Sequence, residues 1–510
     1  MPLPSRSQSM IALAAVCLSS LMFGLEISSV PAILPTLEQV LHADFSQLQW
    51  IMNAYTIAVT TVLFATGTLA DRYGRKRVFL IGITAFGATS LLCGLTDNVA
   101  VLIIARFLQG MSGGVMLICQ VAVLSQQFSG ARERGMAFGW WGIIFGIGLG
   151  FGPIIGSAIV ALSSWEWVFL VHVVLAAIVT LLAAIGVRES RDPGADRLDV
   201  VGIVTLSLSV FCLAFYITQG PALGFGSPAA LGVIGLAGAS FIAFIVAERI
   251  SPRPMIDFGV FRIRAFSGAI IGSAAMNISF WPFMIYLPIW FHAGLGYDTV
   301  TAGTALLAYT LPTLLVPPVA ERLSLRYRPG LVIPAGLVTI GLGFFLMKAG
   351  ADAAQASWLT ILPGALLAGI GLGLTNTPVT NTTTGAISSD RAGMASGIDM
   401  SARMISLAIN IAMMGFILIS GVAAHLKGVL PQSISTTELY SLAERIAAGN
   451  VASVAALPDT VIHDALVHGF GWVMLYGGIG VWLLAGISFI VFGLREDAPT
   501  PEAPAISCTP

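Results

Sequence analysis

The chain has 510 residues, of which 56% are hydrophobic and only 10% charged, with a formal net charge of −1. Charged residues make up about a quarter of a soluble globular chain, so this one is read as a polytopic membrane protein that uses lipid as its solvent. The near-zero net charge offers nothing for nucleic acid to bind, and the five cysteines lack both metal-ligand spacing and the density of a disulfide framework.

Apolar runs fall near residues 10–35, 47–69, 78–96, 100–124, 136–161, 165–187, 199–219 and 227–250, and six more near 266–291, 302–323, 331–349, 357–381, 394–424 and 468–494. Each reaches the roughly 20 residues that a helix needs to cross the hydrocarbon of a bilayer. Together they predict fourteen spans. The first could be mistaken for a signal peptide, but Glu26 and Pro31 interrupt it and no small-residue cleavage pattern follows, so it is read as a retained helix.

With residues 1–9 placed in the cytoplasm, the inner connections collect Arg6, Arg72, Arg75, Lys76, Arg77, Arg132, Arg134, Arg188, Arg191, Arg197, Arg249, Arg253, Arg262, Arg264, Arg322, Arg326, Arg328, Arg391 and Arg495. The outer ones hold only Lys348, Lys427 and Arg445. This positive-inside bias predicts an even number of spans across a cytoplasmic (inner) membrane, with both termini cytoplasmic. The one sizeable loop, 425–467, falls outside and carries a helical pattern over Thr437–Ile446, while the Pro-rich tail 495–510 is expected to be disordered.

Function has to come from what is polar inside the spans. Glu26 lies in the first, where desolvation disfavours a charged carboxyl unless a cation stands near. It is a candidate proton carrier, the alternative being a side chain that snorkels to the outer interface. Arg106, in Ala105-Arg-Phe-Leu-Gln-Gly110, is too far inside its span to be a boundary residue. A buried arginine costs about 2.5–3.5 kcal/mol on insertion scales, so it should face a cavity or a partner.

Between the second and third spans stands Gly67-Thr-Leu-Ala-Asp-Arg-Tyr-Gly-Arg-Lys-Arg77, a burst of charge between two apolar runs. The fifth span carries Gly142, Gly146 and Gly150 at fourfold spacing and a second series of Gly148, Gly152-Pro153 and Gly156. Such spacing lets helix backbones approach closely; it reads as a seam that can rock or as ordinary helix packing. Asn277, Phe280, Trp281, Phe283, Tyr286 and Trp290 crowd the ninth span, where they could stack on a flat apolar or cationic molecule or serve only as packing. Asp399 and Arg403 stand four residues apart and could pair on one helix face, near a hydrophilic stretch with Asn376, Thr377, Pro378 and Asn381. Gating or structural roles suit these better than substrate contact.

These features resemble the major facilitator superfamily, and specifically its fourteen-helix drug:proton antiporter branch, over nearly all of residues 10–495. Gly67 to Arg77 is similar to the family's loop signature between helices 2 and 3. Leu102 to Gly114, with Arg106, Gln109 and Gly110, resembles its helix 4 motif. Gly146 through Pro153 to Gly156 resembles the helix 5 motif associated with antiporters. Departures are Glu26, Ser28 and Pro31 where the branch shows Asp, Thr and Asn, and Glu166 and His172 where it shows Arg and Asn.

The resemblance implies an all-α major facilitator fold with two six-helix bundles, 10–187 and 266–494, and two inserted helices over 199–250. Bundles of this kind rock about a central site and expose it alternately to each side. It further implies proton coupling at Glu26 and Arg106, and gating at Asp71, Arg72, Gly74, Arg75, Gly146, Gly150, Gly152 and Pro153. Asp71 would pair with arginines or with backbone donors of a neighbouring helix in one state and release them in the other; for the cations beside it, a topology signal alone is the simpler reading. The copy in the second half, Glu321 to Gly330, has Leu325 where Asp71 sits. The expected activity is export of amphipathic or aromatic compounds, drugs included, in exchange for protons, by a monomer that needs no metal or cofactor. A dedicated exporter of an endogenous metabolite is the alternative. No Walker-type loop points to an ATPase engine, and a membrane receptor or enzyme on the same scaffold is the remote alternative, for which the sequence offers neither a nucleophile–base arrangement nor a sizeable soluble domain.

Overall fold

The computed structural model describes residues 6–43, 45–128, 130–192, 199–251, 256–297, 299–353, 355–388, 391–430, 434–449 and 457–493; residues 1–5 and the expected tail 495–510 lie outside them. The apolar runs are helical throughout, as they must be where no water is at hand to satisfy backbone polar groups. The first six helices are α1 (Arg6–Leu41), α2 (Phe45–Tyr73), α3 (Arg75–Gly94), α4 (Val99–Gln127), α5 (Ala131–Leu162) and α6 (Trp167–Gly186). Then come α7 (Val200–Leu223), α8 (Pro228–Ile250) and α9 (Arg264–Ile289). A broken span follows as α10 (Thr299–Thr310), α11 (Pro312–Leu315) and α12 (Pro317–Tyr327). The chain continues with α13 (Pro329–Ala351), α14 (Trp358–Gly385), α15 (Ala392–Val429), α16 (Thr436–Ala447) and α17 (Asp459–Phe492).

Among the described residues, thirteen helices are long and apolar enough to cross a membrane, or fourteen counting the bent pair through Thr301–Leu315 and Pro317–Tyr327 as one span. The 44° bend has a local cause: Pro312, Pro317 and Pro318 each remove a backbone donor and crowd the preceding turn. A single unbroken span was the expectation there. The expected surface helix forms as α16, held by a capping box in which Ser435 and Glu438 satisfy each other's backbone N–H.

The two halves repeat one packing plan. In the first, α1 lies against α5 and α6, α2 against α4, and α3 against α4 and α6. In the second, α9 lies against α15 and α17, α10–α12 against α14, and α13 against α14 and α17. Helices α7 and α8 pair with each other, and α7 rests on α2 and α15.

Two seams join the halves, α2 and α4 against α15, and α5 against α11, α12 and α14. The glycines of α5 explain how one helix serves two neighbours. Gly148, Gly152 and Gly156 face α1, where a Cβ would meet the backbone around Leu21, Gly24 and Ser29 or the Ser28 side chain. Gly142, Gly146 and Gly150 face the other half, opposite Thr377, Leu314 and Thr310. The two series therefore form two separate contact lines, one inside the first half and one between halves.

Candidate functional site

Glu26 and Arg106 come together across 80 residues of sequence. The guanidinium of Arg106 donates to Glu26 Oε1, to the Ile51 carbonyl at 3.1 Å and to Gln109 Oε1 at 2.8 Å, so one charged group ties α1, α2 and α4. The Tyr55 ring lies 4.4 Å from the guanidinium carbon, a cation–π contact on the remaining face. Gln109 passes the network on to Ser90 of α3 at 2.8 Å. Glu26 is wholly buried and Arg106 is 1% exposed, so neither side chain snorkels to an interface.

His172 completes this cluster. Its Nε2 lies 3.0 Å from Glu26 Oε2, on the side of the carboxylate away from Arg106, and its ring meets the edge of Phe86. The sequence flagged His172 only as a departure at one position of α6; its contact with Glu26 depends on the crossing of α1 and α6. Arg106 is seven residues from the start of α4 and His172 five from the start of α6. At a rise of 1.5 Å per residue the cluster lies roughly 10 Å inside the end opposite the α2–α3 turn.

At the α2–α3 end, Asp71 holds Arg75 at 2.8 Å and accepts two backbone N–H groups from the first turn of α15, Gly393 at 3.1 Å and Met394 at 3.0 Å. A helix N-terminus offers unsatisfied donors and a positive dipole end, which a carboxylate meets on both counts. The approach is close because Gly67 faces Gly393: a Cβ on either would strike the other's backbone. Gly74 takes φ = +107° in the turn, and a Cβ there would enter the Glu189 carboxylate, which accepts from the N–H groups of Lys76 and Arg77. Arg72 lies along Tyr73 and is apart from the Asp71 contact. Of the basic residues in this segment, Arg75 is the one drawn into it.

The second seam carries its own polar bridge. Arg134 of α5 donates to Asn381 at 2.7 Å and Thr384 at 2.5 Å on α14, and Asn381 donates to the buried Glu321 of α12 at 2.9 Å. Deeper in the second half, Asp399 and Arg403 pair at 3.2 Å on one face of α15, with Ser273 and Thr380 donating to Asp399 at 2.6 and 3.1 Å. Arg403 also donates to Asn376. Asn277 sits one turn from Ser273 and donates to its carbonyl at 2.9 Å.

The aromatics of α9 and of the π-helical turn Trp290–Gly294 that follows it divide in two. Phe280 stacks on Tyr309 at 4.1 Å, Phe283 packs on Phe344 at 5.0 Å, and Trp290 is enclosed; all three lie in the core of the second half. Trp281 and Tyr286 are half-buried, and the Tyr286 hydroxyl donates to the Ile411 carbonyl of α15 at 2.8 Å. Gly152 belongs to the α1-facing line of α5, with Pro153 half-buried beside it, while Gly146 and Gly150 belong to the seam between halves.

The sequence profile of the Major Facilitator Superfamily matches residues 16–411. The chain belongs to this superfamily. It is 29% identical to the multidrug resistance protein Stp of Mycobacterium tuberculosis over 86% of this chain and 81% of that one. It is also 29% identical to the tetracenomycin C resistance and export protein of Streptomyces glaucescens, over 96% and 93%. The puromycin resistance protein of Streptomyces alboniger is 27% identical over 88% and 90%. In fold it resembles the human organic anion transporter MFSD10 (TM-score 0.63, 14% identity, 97% of this chain and 100% of that one). The proton:xylose symporter XylE is similar too (TM-score 0.60, 14% identity, 94% and 95%).

Proposed function

We propose that this protein is a secondary active exporter that moves amphipathic or aromatic compounds, drugs among them, out of the cell in exchange for protons by alternating access. The observation that carries the reading is the buried carboxylate of Glu26, held by Arg106 within a half whose seams with the other half are hydrogen-bonded rather than fused. The names of relatives that span most of the chain, resistance and export proteins, support the substrate class.

In this reading both termini are cytoplasmic, following the distribution of basic residues. The α2–α3 end is then the inner end, closed by Asp71 on α15 and by Arg134 on α14, and the conformation is the one that presents its site outward. Protonation of Glu26 from outside releases Arg106 from its ion pair and shifts the balance toward the opposite state. Proton release inside resets it. Each charge moved gains about 2.3 kcal/mol per 100 mV of membrane potential, enough to drive a two-state cycle without ATP. Substrate contact falls to Trp281 and Tyr286, with the buried Asn277, Phe280, Phe283 and Trp290 supporting them.

Efflux in inverted membrane vesicles, across cationic dyes, biocides and neutral antibiotics, tests this with and without a proton uncoupler. The expected outcome is export that the uncoupler abolishes and that Glu26→Gln lacks at normal expression. Export that survives the uncoupler overturns the antiport. A dedicated exporter of an endogenous metabolite, such as an antibiotic or siderophore, is the second reading, favoured by the relative named for tetracenomycin C resistance and export; a response confined to one compound class would select it.

A further inference from the structure

His172 has a distinct arrangement that proton coupling at Glu26 does not by itself require. Its ring is 1% exposed and Nε2 lies 3.0 Å from Glu26 Oε2, close enough for an ionic contact but not aligned as a hydrogen bond, while Nδ1 and Oε2 are both buried without a hydrogen-bond partner. A buried basic nitrogen without a partner is rare in native structures, because desolvation then goes uncompensated. The other oxygen of the same carboxylate is occupied by Arg106.

The surroundings restrict what can titrate with it. Against α6, α1 contributes Glu26, and α4 contributes Arg106 through the Phe169 ring at 5.8 Å. α3 contributes Phe86 and, through Gln109, the Cys93 thiol; α2 adds Tyr55 over the guanidinium. Just before α6, Glu166 is the nearest titratable residue along the chain, and α5 has Arg132, Glu133 and Arg134, all in the first turn at its far end. One carboxylate thus lies between the Arg106 guanidinium at one oxygen and the His172 imidazole at the other.

We propose that His172 is the proton relay for Glu26, with Nδ1 the receiving atom and Nε2 the delivering one. Nδ1 takes a proton from water when the conformational cycle opens the cluster to solvent. The Nε2–H bond breaks and its proton forms the Oε2–H bond of Glu26, leaving a neutral ring with its hydrogen on Nδ1. Discharge runs through the same two atoms in reverse. This rests on Glu26 being the coupling acid.

The test uses the full chain in inverted vesicles and whichever compound of the efflux panel is exported fastest. His172→Gln keeps a donor toward Glu26 but cannot relay. It should leave equilibrium binding of that compound within about twofold while proton-driven efflux falls at least about tenfold, the scale of a lost acid–base group. Its rate should also lose the pH dependence of the wild type near neutrality, and added imidazole should restore efflux by His172→Ala. A His172→Gln rate and pH profile that superpose on the wild type overturn the relay. If neither variant folds, infrared difference spectra of the wild-type protein on substrate addition decide: imidazole and carboxyl bands should change together, and a carboxyl change alone overturns it. A silent Glu26→Gln with a normal His172→Gln removes only the relay, whereas a fully active Glu26→Gln removes the coupling reading itself.

Discussion

Asp71 and Met394 are separated by 323 residues, yet the carboxylate of one accepts the backbone N–H of the other at 3.0 Å. Because the donor is backbone, nothing in the side chain of residue 394 announces the contact. The partner is the start of α15, and what matters is the helix end and the glycine in front of it. Asp71 also remains paired with Arg75, so breaking the seam leaves the acid with a partner in its own half. That arrangement suits the gating role we propose for Asp71.

Asp71→Asn should weaken this contact while leaving the helices intact. Hydrogen bonds to a charged acceptor contribute about 1.5–3 kcal/mol, so the balance between states should shift by roughly ten- to a hundredfold. Thiol labelling of a cysteine placed at the α2–α3 end should rise, and turnover should slow more than substrate binding weakens. Unchanged labelling and rate would remove Asp71 from gating.

Two glycines of α5 two residues apart should respond oppositely to alanine. At Gly148 a Cβ would stand 2.8 Å from the Leu21 carbonyl oxygen and 3.0 Å from Gly24 Cα, so α1 and α5 must separate. At Gly150 the nearest atom is Thr310 Oγ1 at 3.7 Å, ordinary contact. Gly148→Ala should lower the unfolding temperature in detergent and reduce yield; Gly150→Ala should match the wild type in both. Equal behaviour would contradict the two-line reading of this helix.

Phe280 and Trp281 are neighbours in sequence with different surroundings. Phe280→Ala removes a fully buried ring stacked on Tyr309 and should cost about 3–5 kcal/mol of stability. Its substrate range should stay the same. Trp281→Ala should instead change relative resistance across the compound panel with a smaller loss in thermal stability. The reverse pattern would place Phe280, not Trp281, at the substrate.

Much of this architecture was legible along the chain. Lipid imposes a length and an apolarity on every spanning helix, so each run of roughly 20 residues announces itself. Pairs within a helix turn were legible for the same local reason: Asp71 with Arg75 and Asp399 with Arg403 are four apart, and helical geometry alone brings them together. The cost of burying Glu26 and Arg106 could be read too, which made each a search for a partner.

The choice of partners was left to the tertiary structure. His172 on Glu26, Asn381 between Arg134 and Glu321, and the α15 backbone on Asp71 all join helices distant in sequence, with a geometry set by how helices cross. The aromatics of α9 make the same point. Their spacing was visible, but whether a ring faces a core or an opening depends on the rotation of α9 against α13, α14 and α15. By itself the sequence determined that this protein spans a membrane many times and keeps a few charges inside, because solvation acts on each residue separately. Only the folded chain decided which charges meet, because ion pairs and seams depend on positions that solvation alone does not specify.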